Sequence, residues 1–286
     1  MTKKLLFLFD TDPAPSVFDT VVGYDGGADH VIGYGGVTPE SVAALVDGTI
    51  YTRGSKEKQC TAIFVGGGSM IAGEAVFAAV KKRFFANFRV SAMLDSNGSN
   101  TTAAAGVALL AKAKSLKGNK AIVLAGTGPV GMRAAAMLHS EGAEVAITSR
   151  AKQRADAASK AINDRFGFAP TPIEAFDNEA RAAAVKGAQI VFAAGAIGVP
   201  LLDEKGWQND PTIELIADCN AQPPLGIGGI EAIDKGSERH GKIAIGALGL
   251  GGLKLKLHRA CIGQLFESSD QVLDAENIYA QAKSLA

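Results

Sequence analysis

The stretch that most constrains this chain is Ala121-Ile122-Val123-Leu124-Ala125-Gly126-Thr127-Gly128-Pro129-Val130-Gly131, which runs directly into Met132-Arg133-Ala134-Ala135-Ala136-Met137-Leu138. An apolar run of strand length ends in G-x-G-x-x-G, and a segment of small, helix-forming residues follows. That is the strand–turn–helix context in which this spacing denotes a dinucleotide-binding turn rather than a ligand-free one. Each glycine has an expected task. Gly126 allows a sharp turn, Gly128 lets backbone approach a pyrophosphate, and Gly131 lets the helix pack close to the strand, with Thr127, Pro129 and Val130 completing the loop. Amide hydrogens at the start of the helix then face the phosphates.

The following strand, Glu144-Val145-Ala146-Ile147-Thr148, selects the nucleotide. An NAD site commonly ends this strand in Asp or Glu, which binds the ribose 2′-hydroxyl and repels a 2′-phosphate. Here the strand end reads Ser149-Arg150-Ala151-Lys152, with Arg154 shortly after. Hydroxyl and guanidinium groups in place of a carboxylate suit a phosphate dianion, so the expected cofactor is NADP, bound in part by Ser149, Arg150, Lys152 and Arg154. The alternative account of Arg150 and Lys152 is an ordinary solvated helix start, and a basic residue at that one position favours the phosphate reading.

Lys plus Arg and Asp plus Glu both number 29, so net charge offers no case for nucleic acid or an anionic membrane as a partner. No apolar run approaches the roughly 20 residues that span a bilayer. The opening Met1-Thr2-Lys3-Lys4-Leu5-Leu6-Phe7-Leu8-Phe9-Asp10 is too short in its apolar part for a signal sequence and reads as a first buried strand. Cys60, Cys219 and Cys261 lie far apart without C-x-x-C, and the histidines lack ligand-spaced partners. Neither a disulfide framework nor a metal site is expected, and the cytoplasm is the default compartment.

Strands alternating with helices imply parallel sheets, and 286 residues suggest two domains. The expected fold is therefore α/β, with a Rossmann-type NADP lobe and a second α/β lobe. Expected strands include residues 5–9, 60–65, 89–94, 189–194, 213–217 and 243–245; expected helices include 17–22, 38–46, 70–85, 152–166 and 177–185. Gly23–Gly36 is glycine-rich and fits turns around a short strand. Gly195-Ala196-Ile197-Gly198, at the end of the strand 189–194, forms a second expected cofactor loop, because small residues let backbone approach the nicotinamide half, with Ala194, Gly195 and Ala196 as the expected contacts. The polar run 95–102 supplies helix caps, a hinge and groups that could face a ligand. Gly246–Gly252 reads as a loop before a helix that begins near Leu253. On that helix Lys254 and His258 share a face, compatible with substrate binding or with plain surface. Phe18, beyond the first strand's carboxyl end, is compatible with a core role or a ligand contact.

With Asp10-Thr11-Asp12, Gly23–Asp29, Tyr51-Thr52-Arg53-Gly54, Leu94–Thr102, the glycine turn and Gly251–Arg259 all in view, the sequence resembles the NADP-dependent methylene-tetrahydromethanopterin dehydrogenases of methylotrophic bacteria along its whole length. The resemblance implies a pterin-binding domain made of residues 1–102 with C-terminal helices from about 268 to 286, and a Rossmann domain of residues 103–267, with a cleft between them. It implies reversible oxidation of the methylene-pterin to the methenyl form with NADP, with the tetrahydrofolate analogue also accepted. It further implies that Phe18, Thr102, Lys254 and His258 line the substrate site, and that the chain is a homo-oligomer, a trimer by resemblance. The related folate dehydrogenase/cyclohydrolases carry Y-x-x-x-K, whose lysine activates water; here Ser55 stands at that offset from Tyr51 and Lys56 comes one residue later. A folate-dedicated dehydrogenase and a non-catalytic NADP-binding regulator are the competing functions.

Overall fold

Short unbroken apolar runs can be buried on both faces only in a sheet covered by helices on each side, and that requirement is met twice. The computed structural model describes residues 2–286, which divide into two units: those up to 101 with 255–281, and residues 102–254 with 282–286. In the first unit β1 (Leu5–Asp10), α1 (Val17–Asp25), β2 (His30–Tyr34), α2 (Val42–Tyr51), β3 (Thr61–Gly66), α3 (Met70–Arg83) and β4 (Ser91–Leu94) follow in order. Helix α4 (Ser99–Ala113) leads into the second unit. There the order is β5 (Lys120–Leu124), α5 (Pro129–Ser140), β6 (Glu144–Ser149), α6 (Lys152–Phe166), β7 (Thr171–Glu174), α7 (Asn178–Val185), β8 (Ile190–Ala193), β9 (Leu215–Asp218), β10 (Lys235–Arg239) and β11 (Lys242–Ile245). The chain ends with α8 (Ala247–Gln264), β12 (Val272–Leu273) and α9 (Ala275–Leu285).

The first unit's sheet has the order β12-β4-β3-β1-β2 and is parallel throughout. Its direction of growth reverses between β1 and β3, so the carboxyl ends of these two strands form the crevice in which open α/β sheets take ligands. Phe9, Ile63, Val65 and Leu94 bury against Val42, Val46 and Ile50 of α2 and against Val76, Phe77 and Val80 of α3. The second sheet has the order β10-β11-β9-β8-β5-β6-β7, with only β10 antiparallel to its neighbour. Read from β7 to β11 this is the Rossmann order, with its switch point between β5 and β8.

Three of the differences from expectation have a clear physical reason. Helix α2 starts at Val42 rather than Thr38, because Thr38 and Ser41 spend their hydroxyls on each other's amides before the helix begins. Strand β7 contains Pro172, a residue that argues against strand in sequence, yet it is tolerated because β7 lies at the sheet edge. The run Gly246–Gly252 is not a loop: from Ala247 onward it is the first part of α8. Its glycines serve close approach. A Cβ on Gly246 would lie 2.1 Å from the Glu231 carbonyl oxygen, and one on Gly249 would lie 1.8 Å from that of Asp234. The amides of Leu248 and Gly249 donate to Ala232 O at 2.7 and 3.1 Å, so α8 begins flush against that segment.

Adding a methyl group at this seam should therefore cost overpacking. Gly249→Ala is expected to lose about 1–3 kcal/mol of stability, seen as a lower urea midpoint with an unchanged m-value; an unchanged midpoint would mean that the seam yields freely.

Candidate functional site

The turn after β5 is built by close packing. A Cβ on Gly131 would lie 2.7 Å from Gly126 Cα, and one on Gly126 would lie 2.8 Å from Ile147 Cβ on β6. Glycine is thus required at both positions by contact. The left-handed residue of the turn is Ala125, with φ at 52°, and not Gly126; its amide is held by Thr148 Oγ1 at 3.1 Å, while that of Gly126 donates to Thr148 O at 3.0 Å. Gly128 is the N-cap of α5 and a Cβ there would meet nothing within 4 Å, leaving open space above the backbone. Pro129 occupies the first helical position, where its missing N–H costs nothing. The first intrahelical amide bond runs from Met132 to Gly128 O, which leaves the amides of Val130 and Gly131 at the helix mouth.

Beside this turn, at the carboxyl ends of β5, β6 and β8, lies a cleft of about 310 Å³. Ala125, Thr127 and Gly128 form one wall; Thr148, Ser149, Arg150 and Arg154 form another; Ala194, Gly195 and Ala196 close it from β8, together with Val199 and Leu201. Gly195 is confined by Leu201, whose Cδ1 would sit 2.8 Å from an added Cβ. Most of the residues expected at the cofactor therefore share one cavity. Lys152 is the exception among the cations: its ammonium pairs with Asp156 on its own helix, and its amide donates to Glu174 at 3.2 Å. Arg181 and Ala175 also line the cleft, and neither was expected from the sequence. No carboxylate is among the lining residues. Three guanidinium groups around an acid-free cavity, with a glycine turn whose open face admits phosphate, fit a phosphorylated dinucleotide.

The residues expected at the substrate fall into both units. In the first, Phe18 is the second residue of α1, behind the Ser16 cap, and is 49 % exposed. His258 of α8 is buried, its ring stacked on Phe64 at 5.4 Å and tilted toward Phe18 at 6.3 Å. An aromatic platform thus stands near the switch point of this sheet, where Asp10 accepts from the amides of Asp12 and Ser16 and Asp12 accepts from that of Gly68. Tyr51 packs with Phe88 and Phe85 at 5.4 and 6.5 Å. In the second unit Thr102 and Lys254 are both half-buried. The polar run before Thr102 is largely consumed in capping. Asp95 accepts from the amides of Asn100 and Thr101 at 2.8 and 3.1 Å and from Thr101 Oγ1 at 2.6 Å, while Asn100 Nδ2 donates to Leu94 O at 2.6 Å. Among the described residues no His/Cys/Asp/Glu cluster is arranged to hold a metal ion.

Strand order, switch-point cavity and glycine turn together define a nucleotide-binding protein of the Rossmann class. Residues 17–97 match the family described as "Methylene-tetrahydromethanopterin dehydrogenase, N-terminal". The chain is 68 % identical over 288 residues, covering all of both chains, to "Bifunctional protein MdtA" of Methylorubrum extorquens strain AM1. It is 28 % identical over 296 residues, again covering all of both chains, to that organism's "NAD(P)-dependent methylenetetrahydromethanopterin dehydrogenase". In fold it is similar to the methylenetetrahydrofolate dehydrogenase-cyclohydrolase of Trypanosoma brucei, solved with NADP and an inhibitor, at a TM-score of 0.51 and 15 % identity over 93 % of this chain and 86 % of that one. The chain belongs to the methylene-tetrahydromethanopterin dehydrogenase family.

The Gly126–Gly131 contact gives a direct check on the turn. Gly131→Ala should push α5 off β5 and weaken NADP binding by at least about tenfold in a calorimetric titration, an amount equal to roughly 1.4 kcal/mol; wild-type affinity in a folded variant would show that the contact does not shape the site.

Proposed function

We propose that this chain catalyses the reversible oxidation of methylene-tetrahydromethanopterin to its methenyl form with NADP, and accepts methylene-tetrahydrofolate as well. The observation that carries this reading is an acid-free cavity lined by guanidinium groups at the switch point of a chain related over its full length to that family. Bound NADP supplies the hydride acceptor at nicotinamide C4. Ser149, Arg150 and Arg154 hold the 2′-phosphate, the Gly126–Gly131 turn takes the pyrophosphate, and Ala194, Gly195 and Ala196 give backbone clearance toward the nicotinamide.

For the pterin we assign Phe18 as a face against the flat ring or arylamine and Thr102 as a hydrogen-bonding group near the reacting ring. Lys254 and His258 orient its polar edge. Their supports are the half-exposed ring of Phe18 beside His258 and the half-buried placement of Thr102 and Lys254. The reacting carbon lies between two nitrogens that share the positive charge left when hydride departs, so the chemistry asks these residues for position rather than for a base. A homo-oligomer, a trimer by resemblance, accords with exposed Val17, Val21 and Tyr24 at helical spacing on α1. The cytoplasm is the proposed compartment, in keeping with three free cysteines. No helix among the described residues is long and apolar enough to cross a membrane.

Steady-state assays of nicotinamide reduction with each pterin and each nucleotide test the proposal. Two charge-assisted bonds to the 2′-phosphate imply a kcat/KM for NADP on the order of 100-fold above that for NAD. Absence of turnover with every pairing would leave a nucleotide-binding regulator, and turnover confined to the folate would mark a folate-dedicated enzyme. Lys254→Ala should raise KM for the pterin and lower kcat/KM by about 10- to 100-fold; wild-type values for both constants would remove Lys254 from the site.

A further inference from the structure

Arg181 lies one turn into α7, whose first turn is fixed by the Asp177 side chain accepting from the Ala180 amide at 2.8 Å. From there its side chain reaches the cofactor cleft. Nη1 donates to Leu201 O at 2.6 Å and Nη2 to Phe176 O at 3.3 Å, so the group ties the loop after β7 to the loop after β8. Those bonds use two of the five N–H groups of a guanidinium and hold its plane in place. Such a fork is prepared to receive an anion with little further loss of side-chain freedom.

We propose that Arg181 is a specificity-determining residue: with Arg150 and Arg154, its guanidinium binds the 2′-phosphate that distinguishes NADP from NAD. The inference rests on the NADP reading above. Three lining residues carry positive charge and none carries negative charge. Burial pulls the Arg181 pKa below the ordinary arginine value, Asp177 and Asp203 oppose that shift, and repulsion from Arg150 adds to it. Arg150 and Arg181 therefore feel each other's charge without a bound anion, and a dianion between them converts that repulsion into attraction. A purely structural arginine would need only its two carbonyl acceptors, and the same cleft would then discriminate through Arg150 and Arg154 alone.

Calorimetric titration with adenosine 2′,5′-bisphosphate and adenosine 5′-monophosphate isolates the phosphate, because the two probes differ only there. Arg181→Ala should weaken the bisphosphate by about 10- to 100-fold, the range expected for one bond between charged groups, and the monophosphate by less than about threefold. Arg181→Lys keeps the stem and the charge but not the fork, and should fall between wild type and Arg181→Ala for the bisphosphate alone. Equal weakening of both probes would assign Arg181 to the loops or to the adenine and overturn the proposal. So would full discrimination in both variants. A wild-type protein that binds the two probes equally would remove the NADP reading itself, which separates that failure from the failure of Arg181.

Discussion

The contact between Gly131 and Gly126 is the constraint on which the second unit's function depends. Because no Cβ intervenes, α5 begins close to the end of β5, and its N-cap Gly128 lines the neighbouring cleft. Just before this contact the chain passes through Ala125 in a left-handed conformation, a position where a side chain is strained. Thr148 holds it there by accepting from the amide of Ala125 through its hydroxyl and from the amide of Gly126 through its carbonyl. A residue of β6 thus sets the turn after β5, and the next two residues of the chain, Ser149 and Arg150, line the cleft.

Charge is distributed with equal economy. The chain as a whole is neutral, yet the cofactor cleft gathers Arg150, Arg154 and Arg181 and excludes carboxylates. Nearby acids are assigned elsewhere. Glu174 accepts from the Lys152 amide, and Asp177 caps α7. Asp218, at the end of β9, turns inward to accept from the amides of Asn220 and Ile227, and burial raises its pKa. These carboxylates shape loops around the sheet's carboxyl end while the cleft keeps a single sign of charge.

Much of this was legible in sequence because the signals are local. The β5 turn, the helix at 152–166 and the basic end of β6 need only neighbouring residues for their interpretation, and the family resemblance rests on long motifs. What escaped depends on distant packing. Glycines at 246, 249, 251 and 252 look like a loop until the Glu231–Asp234 backbone is seen to occupy the space that side chains would need at Gly246 and Gly249. Gly126 reads in sequence as the sharp bend, whereas its contact with Ile147 explains the glycine and Ala125 makes the bend. Arg181 is not legible in sequence because Pro172 disguises β7, and without that strand nothing indicates that the following helix borders the cleft. The passage of the chain between units within α8 leaves no break in its helical pattern.

Chemically, the reaction depends on placement: the second unit carries a site for a phosphorylated dinucleotide, and the hydride comes from a carbon whose adjoining nitrogens stabilise the product. The decisive measurement follows the hydrogen itself. With methylene-tetrahydromethanopterin deuterated at both methylene positions, NADPH formed in ordinary water should carry one deuterium at nicotinamide C4, seen by NMR, with none lost to solvent. Unlabelled NADPH from that substrate would contradict direct transfer.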